Sequence, residues 1–176
     1  MSLDPRVDIG HVHLKVADLD RSLAFYEGLL GFEVQNRLDW GVFLSAGGYH
    51  HHLALNTYYS AGAAPAPRDA AGLHHFAIRY PTRGTLREAA RTLIDAGIPV
   101  WQAGDHGYAL AVYFRDPDDN GVELYWDRPE ATWPRTADGE LAMYTRPLNV
   151  QALLDLRDER PAARKAAGLG TPEARA

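Results

Sequence analysis

Polar and apolar residues follow the same order in two parts of the chain. The first part runs from Ile9 to Val34 and the second from Leu73 to Val100. Each opens with a short segment in which polar and apolar residues alternate, as expected for a half-buried β-strand. Each continues with apolar residues at helical spacing and then reaches a glycine, Gly31 or Gly97, a residue that favours the left-handed position after a helix. The repeat predicts two copies of one strand–helix unit.

Short strand-like segments follow each predicted helix. In the first half they cover residues 32–37, 40–45 and 50–58, and in the second half residues 100–103, 109–115 and 122–126. Residues 60–72 are rich in Ala, Pro and Gly and are interpreted as a linker. The predicted fold class is therefore α+β, with two βαβββ modules.

The whole chain, residues 1–176, is interpreted as this single domain. Module one is expected at about 9–59, module two at about 73–128 and a C-terminal extension at about 129–176. Within the extension, residues 148–156 predict a short helix and residues 161–176 a frayed end. Residues 132–148, which contain Trp133, Met143 and Tyr144, are a candidate lid or subunit contact, so a homo-oligomer is left open.

Composition narrows the classes of function. Hydrophobic residues make up 46% of the chain and charged residues 23%, which is ordinary for a globular protein. The net charge of −5 gives no reason to expect nucleic acid or an anionic membrane surface as a partner, and the absence of cysteine excludes disulfides and thiolate metal sites. No apolar stretch approaches the roughly 20 residues of a membrane span, and the first residues lack the basic and apolar regions of a signal peptide, so a cytoplasmic location and no membrane partner are expected.

Two histidines and one glutamate form a candidate metal site. His11 and His75 occupy equivalent positions in the two repeats, and Glu123 is an acidic residue inside an otherwise apolar strand. A carboxylate in such a strand is costly unless it is paired or bound to a metal. Two histidines with one carboxylate can hold Fe(II) or Mn(II) and leave coordination positions open. The alternative is a plain structural role for each of these residues.

These segments carry a family resemblance. HVHLKVADLDRSLAFYEGLLGFEV, HHFAIRYP and YFRDPDDNGVELYWDRP resemble the vicinal oxygen chelate superfamily, which contains glyoxalases, bleomycin resistance proteins and dioxygenases. With GGYHHHLALNTY and the segment after the last strand, the pattern is similar to short catechol-2,3-dioxygenase-like extradiol enzymes, from about Ile9 to Leu154. The resemblance implies two paired βαβββ modules that form one curled-sheet domain around a metal site, with His11, His75 and Glu123 as the ligands.

The same resemblance suggests roles for further residues. It implies an acid–base histidine in the triple-histidine segment, for which His50 is the first choice and His52 the second. It also implies that Tyr113 hydrogen-bonds the substrate and that His106 lies near the metal without binding it. Strand alternation predicts His51 and His74 on the faces turned away from the metal, while the role of His13 is left open.

The preferred function is Fe(II)-dependent extradiol cleavage of a catechol-type ring with O₂, in aromatic catabolism, with Mn(II) as the alternative metal. The enzyme alternative is a thiol transferase of the fosfomycin-resistance type, and the non-enzyme alternative is a drug-sequestering protein. A glyoxalase-like isomerase is disfavoured because its fourth ligand would be a glutamate near the end of module one, and residues 40–68 contain no Asp or Glu.

Overall fold

The computed structural model describes residues 2–155. Two β-sheets are each accompanied by a helix, and the same strand order occurs in both. In the first module the elements are β1 (Val12–Lys15), α1 (Leu19–Tyr26), β2 (Glu33–Leu38), β3 (Gly41–Ser45) and β4 (Leu53–Asn56). In the second module they are β5 (Phe76–Arg79), α2 (Arg83–Asp95), β6 (Gln102–Asp105), β7 (Ala109–Arg115) and β8 (Gly121–Asp127). The predicted α+β class with two βαβββ modules is therefore confirmed.

The two sheets share a topology. The first has the order β1-β4-β3-β2, with β1 parallel to β4, and the second begins β5-β8-β7-β6, with β5 parallel to β8. The second sheet gains a fifth strand from the extension, β9 (Arg146–Pro147), which pairs with β6 and was not predicted. A short 3₁₀ helix (Glu130–Thr132) precedes it and α3 (Val150–Asp155) follows it. The predicted frayed end at 161–176 lies outside the described residues.

Local sequence explains both main helices. Asp18 caps α1 by accepting a hydrogen bond from the backbone N–H of Arg21. Thr82 forms a capping box with Thr85 at the start of α2. Both caps satisfy backbone N–H groups that have no partner within the first turn of a helix. Leu86, Ala90 and Leu93 bury one face of α2. In β1, Leu14 is buried while His13 and Lys15 are exposed, so the predicted alternation holds and the polar face of the strand stays open.

Two aspartates of the β7–β8 turn join the modules. Asp118 accepts hydrogen bonds from the Ala17 backbone N–H, at 3.1 Å, and from the Arg21 guanidinium. Asp116 accepts a hydrogen bond of 2.7 Å from the hydroxyl of Tyr26, and both side chains are buried. Burial raises the pKa of the Asp116 carboxyl. These contacts fix the end of β1 and helix α1 against the second module.

Candidate functional site

His75 and Glu123 lie next to each other on the open face of the second sheet. His75 directly precedes β5, and Glu123 is in β8, opposite Ala77 of β5 and Tyr113 of β7. His75 Nε2 is 2.9 Å from Glu123 Oε2, with 30% and 13% of the two side chains exposed. Two of the three predicted metal ligands are therefore adjacent, and both are reachable from solvent.

Tyr113 connects this pair to His106. Its hydroxyl donates to Glu123 Oε1 at 3.0 Å and lies 3.0 Å from His106 Nε2. Burial, followed by the negative charge of Glu123, raises the pKa of the Tyr113 hydroxyl. The hydroxyl therefore keeps its proton at neutral pH and can act as a hydrogen-bond donor in the site.

Thr145 extends the chain of hydrogen bonds beyond His106. Its Oγ1 lies 2.9 Å from His106 Nδ1, at the point where the extension reaches β6. The bond a histidine makes through one ring nitrogen determines which tautomer it adopts and therefore what the other nitrogen presents. Thr145 was not identified from the sequence, because it lies in an irregular segment and only the pairing of β9 with β6 brings it to His106.

His11 lies with other histidines on the open face of the first sheet. The ring centroids of His11 and His51 are 4.4 Å apart, and His51 also contacts Phe43 at 5.2 Å. His50 Nδ1 is 2.8 Å from His51 Nδ1. On the same face, His13 Nε2 is 2.8 Å from the side-chain amide of Asn56. Burial, followed by the proximity of His11, lowers the pKa of His51.

One expectation drawn from strand alternation is wrong. His51 was expected on the face turned away from the metal, yet its ring contacts the ring of the predicted ligand His11. β4 begins at Leu53, so His51 precedes the strand and the alternation of β4 does not extend to it. His74 was also expected to point away from the metal, and its Nδ1 lies 2.8 Å from His75 Nδ1, the ring nitrogen that does not face Glu123.

The remaining acid–base candidate, His52, is held by the backbone. Its Nδ1 accepts a hydrogen bond of 3.3 Å from the N–H of Ala46. The ring of Tyr49 lies beside both His50 and His52, at centroid distances of 4.0 and 4.8 Å. Of the three consecutive histidines, His51 is thus the one placed against His11.

The structure does not bring His11 together with His75 and Glu123. Within residues 2–155, no three side chains of His, Asp or Glu are arranged to hold one metal ion. Two cavities, of about 380 and 510 Å³, open elsewhere: one beside Gly107 and Tyr144, the other beside Trp101 and Arg115, and neither is lined by His75 or Glu123. Within the described residues, His11 and the His75–Glu123 pair therefore lie apart.

Comparison with known proteins places this arrangement in a family. The sequence model of the Glyoxalase/Bleomycin resistance protein/Dioxygenase superfamily matches residues 8–124. The chain belongs to this superfamily. A solved lactoylglutathione lyase from Agrobacterium tumefaciens is 27% identical, with a TM-score of 0.55 over 70% of this chain and 96% of that one. The resemblance stated from the sequence motifs is thus confirmed for family and fold.

Two curated relatives carry dioxygenase names. The catechol-2,3-dioxygenase of Bacillus subtilis is 39% identical over 88% of this chain, and the biphenyl-2,3-diol 1,2-dioxygenase 3 of Rhodococcus globerulus is 32% identical over 72% of it. The chain spans 53% and 66% of the lengths of these two relatives.

Across residues 2–155, no helix is long and apolar enough to cross a membrane.

Proposed function

We propose that the protein is a metal-dependent extradiol dioxygenase that cleaves a catechol-type ring with O₂. The observation that carries the proposal is a chain of four side chains in contact: His75, Glu123, Tyr113 and His106. Each contact joins two nitrogen or oxygen atoms that are 2.9–3.0 Å apart. The names of the two dioxygenase relatives support the same chemistry.

The donor atoms suit the metal that this reaction needs. An imidazole and a carboxylate are ligands that Fe(II) and Mn(II) accept, and a third imidazole would complete a facial set with open positions. We propose His75 and Glu123 as two of these ligands and His11, which lies apart from them in the single chain, as the third, with Fe(II) as the preferred metal. When bound, the metal would supply Lewis acidity and electronic coupling between the diol and O₂.

Residues of the second module would orient the substrate. The Tyr113 hydroxyl, kept protonated by burial and by Glu123, would donate a hydrogen bond to a substrate oxygen beside the metal ligands. His106 holds that hydroxyl from the other side and is itself held by Thr145. Because the Tyr113 oxygen is held in place by His106, only its O–H bond would have to turn from Glu123 Oε1 toward the substrate.

A histidine of the first module would move the substrate proton. The sequence predicts His50 as the first choice for the acid–base histidine and His52 as the second. In the structure, the ring of His51 contacts the proposed ligand His11, and His50 is hydrogen-bonded to His51. We therefore propose that the His50–His51 pair carries the proton. A neutral imidazole there can accept a hydroxyl proton and return it later in the reaction.

The test is anaerobic loading with Fe(II), addition of a diol and then exposure to O₂. A panel of catechol, 3-methylcatechol, 4-methylcatechol and 2,3-dihydroxybiphenyl should include a substrate that yields a yellow ring-fission product. Glu123→Gln should abolish the product, whereas Glu140→Gln, a matched change in an exposed residue of the extension, should leave it unchanged.

Other outcomes would favour the alternatives. Iron-loaded protein that cleaves none of these diols would contradict the proposal. Thiol addition to fosfomycin by the metal-loaded protein would then indicate the transferase alternative. Tight binding of a small molecule that survives Glu123→Gln would indicate a sequestering protein.

A further inference from the structure

The open face of the first sheet carries a positive charge that has no ion-pair partner among residues 2–155. The charge belongs to Lys15, which is exposed at the end of β1. His13, two residues earlier, is on the same side of the strand. We infer that this face binds a carboxylate of the substrate, so that the protein acts on catechols with a short acidic arm. The inference rests on the proposed function, in which the diol lies beside His11.

The internal repeat shows that this uncompensated charge is specific to the first module. The parallel pairs β1–β4 and β5–β8 have the same register, so Arg79 of β5 corresponds to Lys15. Arg79 Nη1 lies 3.7 Å from Asp127 Oδ2. The residue that corresponds to Asp127 in the first module is Tyr58, which carries no negative charge at neutral pH. The second module therefore supplies its own counter-charge, whereas the first attracts an anion from outside.

His13 presents a hydrogen-bond donor beside this charge. The side-chain oxygen of Asn56 accepts a hydrogen bond of 3.2 Å from the backbone N–H of Tyr58, so the amide nitrogen of Asn56 is the atom that faces His13 Nε2, at 2.8 Å. An amide nitrogen only donates, and His13 Nε2 therefore accepts. The neutral ring then carries its proton on Nδ1, and this N–H can donate to an anion.

Aromatic rings connect these two residues to the proposed metal ligand. The ring centroids of His11 and His51 are 4.4 Å apart, those of His51 and Phe43 are 5.2 Å apart, and those of Phe43 and His13 are 6.5 Å apart. Phe43 is half-buried and offers a ring against which a substrate ring can pack. Along β1, His13 is about 6.6 Å from His11 and Lys15 is about 13 Å from it. A diol held at His11 would therefore direct its substituent over Phe43 toward Lys15.

These positions select the chemistry of the substituent. A carboxylate on a short arm would reach the space between His13 and Lys15, and the flexible lysine side chain can turn toward it. Its two oxygens can accept one hydrogen bond from the imidazole N–H and one from the ammonium group. An uncharged alkyl or phenyl arm would remove water from the ammonium group without replacing it by a partner, which is unfavourable.

Binding without turnover tests the inference. Protein loaded with Fe(II) in the absence of O₂ would be titrated calorimetrically with 3,4-dihydroxyphenylacetate and with 4-ethylcatechol, whose arm has a similar size and no charge. We expect wild type to bind the acid about tenfold more tightly. This preference should shrink in about 1 M NaCl, where charges are screened beyond about 3 Å.

Variants of the two equivalent basic residues separate the modules. Lys15→Met should abolish the preference by weakening binding of the acid alone, and Lys15→Arg, which keeps the charge, should retain it. His13→Leu should weaken binding of the acid about threefold and leave that of 4-ethylcatechol unchanged. Arg79→Met is the matched control: Arg79 already has Asp127 as its partner, so this variant should keep the wild-type preference. Circular dichroism checks that each variant is folded.

Failure of the inference is distinguishable from failure of the proposed function. Equal affinity of wild type for the two diols, a preference that survives Lys15→Met, or a preference lost equally in Arg79→Met would overturn the inference. If 4-ethylcatechol then gives a ring-fission product when O₂ is admitted, the proposed function still stands. Absence of both binding and ring cleavage for the two diols would contradict the proposed function itself.

Discussion

Replacing Tyr26 by phenylalanine removes a hydroxyl that is buried where the two modules meet. That hydroxyl donates a hydrogen bond of 2.7 Å to Asp116 Oδ2. A hydrogen bond to a charged group contributes about 1.5–3 kcal/mol, and Asp116 keeps donors from Asn120 and from the Asp118 backbone. We expect Tyr26→Phe to lower the free energy of unfolding by about 2 kcal/mol at pH 7. The midpoint of thermal unfolding should fall by about 4–8 °C.

The loss should depend on pH with a definite sign. Burial raises the pKa of Asp116 in the folded state, and the hydrogen bond from Tyr26 opposes that rise. A carboxyl whose pKa is raised on folding favours the folded state at low pH, and this contribution is lost as pH increases through the folded pKa. Tyr26→Phe raises that pKa further, so its cost should be largest at pH 7 and should shrink as the pH approaches 4.

Urea unfolding of wild type and variant at pH 7, 5.5 and 4.5 measures the effect. Tyr80→Phe is the matched control, because the pKa of Tyr80 is raised to about 12 by burial alone. The loss in free energy of unfolding caused by Tyr80→Phe should therefore be the same at all three pH values. An equal loss at all three pH values, or a loss below about 0.5 kcal/mol at pH 7, would refute the role given to the Tyr26–Asp116 contact.

Three further predictions concern the site. Thr145→Val should lower the rate of ring cleavage about tenfold, and Thr145→Ser should largely restore the rate. Nitrogen NMR of Thr145→Val should show a changed tautomer of His106, and an unchanged tautomer would contradict the role of Thr145. Gly121→Ala should weaken Fe(II) binding, since the added Cβ would lie 2.3 Å from the His74 carbonyl oxygen and 2.8 Å from His75 Cβ. Gly72→Ala is the control: its added Cβ would have no atom within 4 Å, so this variant should bind Fe(II) like wild type. Tyr113→Phe should raise KM for the diol while leaving Fe(II) affinity within about twofold, and a loss of Fe(II) binding would show that Tyr113 acts through Glu123.

The architecture was predictable because the repeat is visible in the sequence. Alternation in β1 and helical spacing in α1 and α2 are local properties of the sequence, so they can be recognised without knowledge of the fold. The contact of Tyr113 with Glu123 follows from a hairpin: β7 and β8 pair across a short turn, which places these two residues directly opposite each other.

Other parts of the site depend on where strands begin and on distant contacts. Alternation failed for His51 because this residue precedes β4. Thr145 reaches His106 only through the pairing of β9 with β6, a contact between residues 39 positions apart that leaves no local pattern. The repeat marks His11 and His75 as equivalent, but equivalence in the sequence does not determine whether the two side chains meet.

Anomalous diffraction at the iron absorption edge tests the central claim most directly. Crystals of protein loaded with Fe(II) without oxygen should show a strong peak within bonding distance of His75 Nε2 and a Glu123 carboxylate oxygen, and Glu123→Gln crystals prepared in the same way should lack it. A peak confined to other histidines, or no peak in the wild-type protein, would contradict the assignment of His75 and Glu123 as metal ligands.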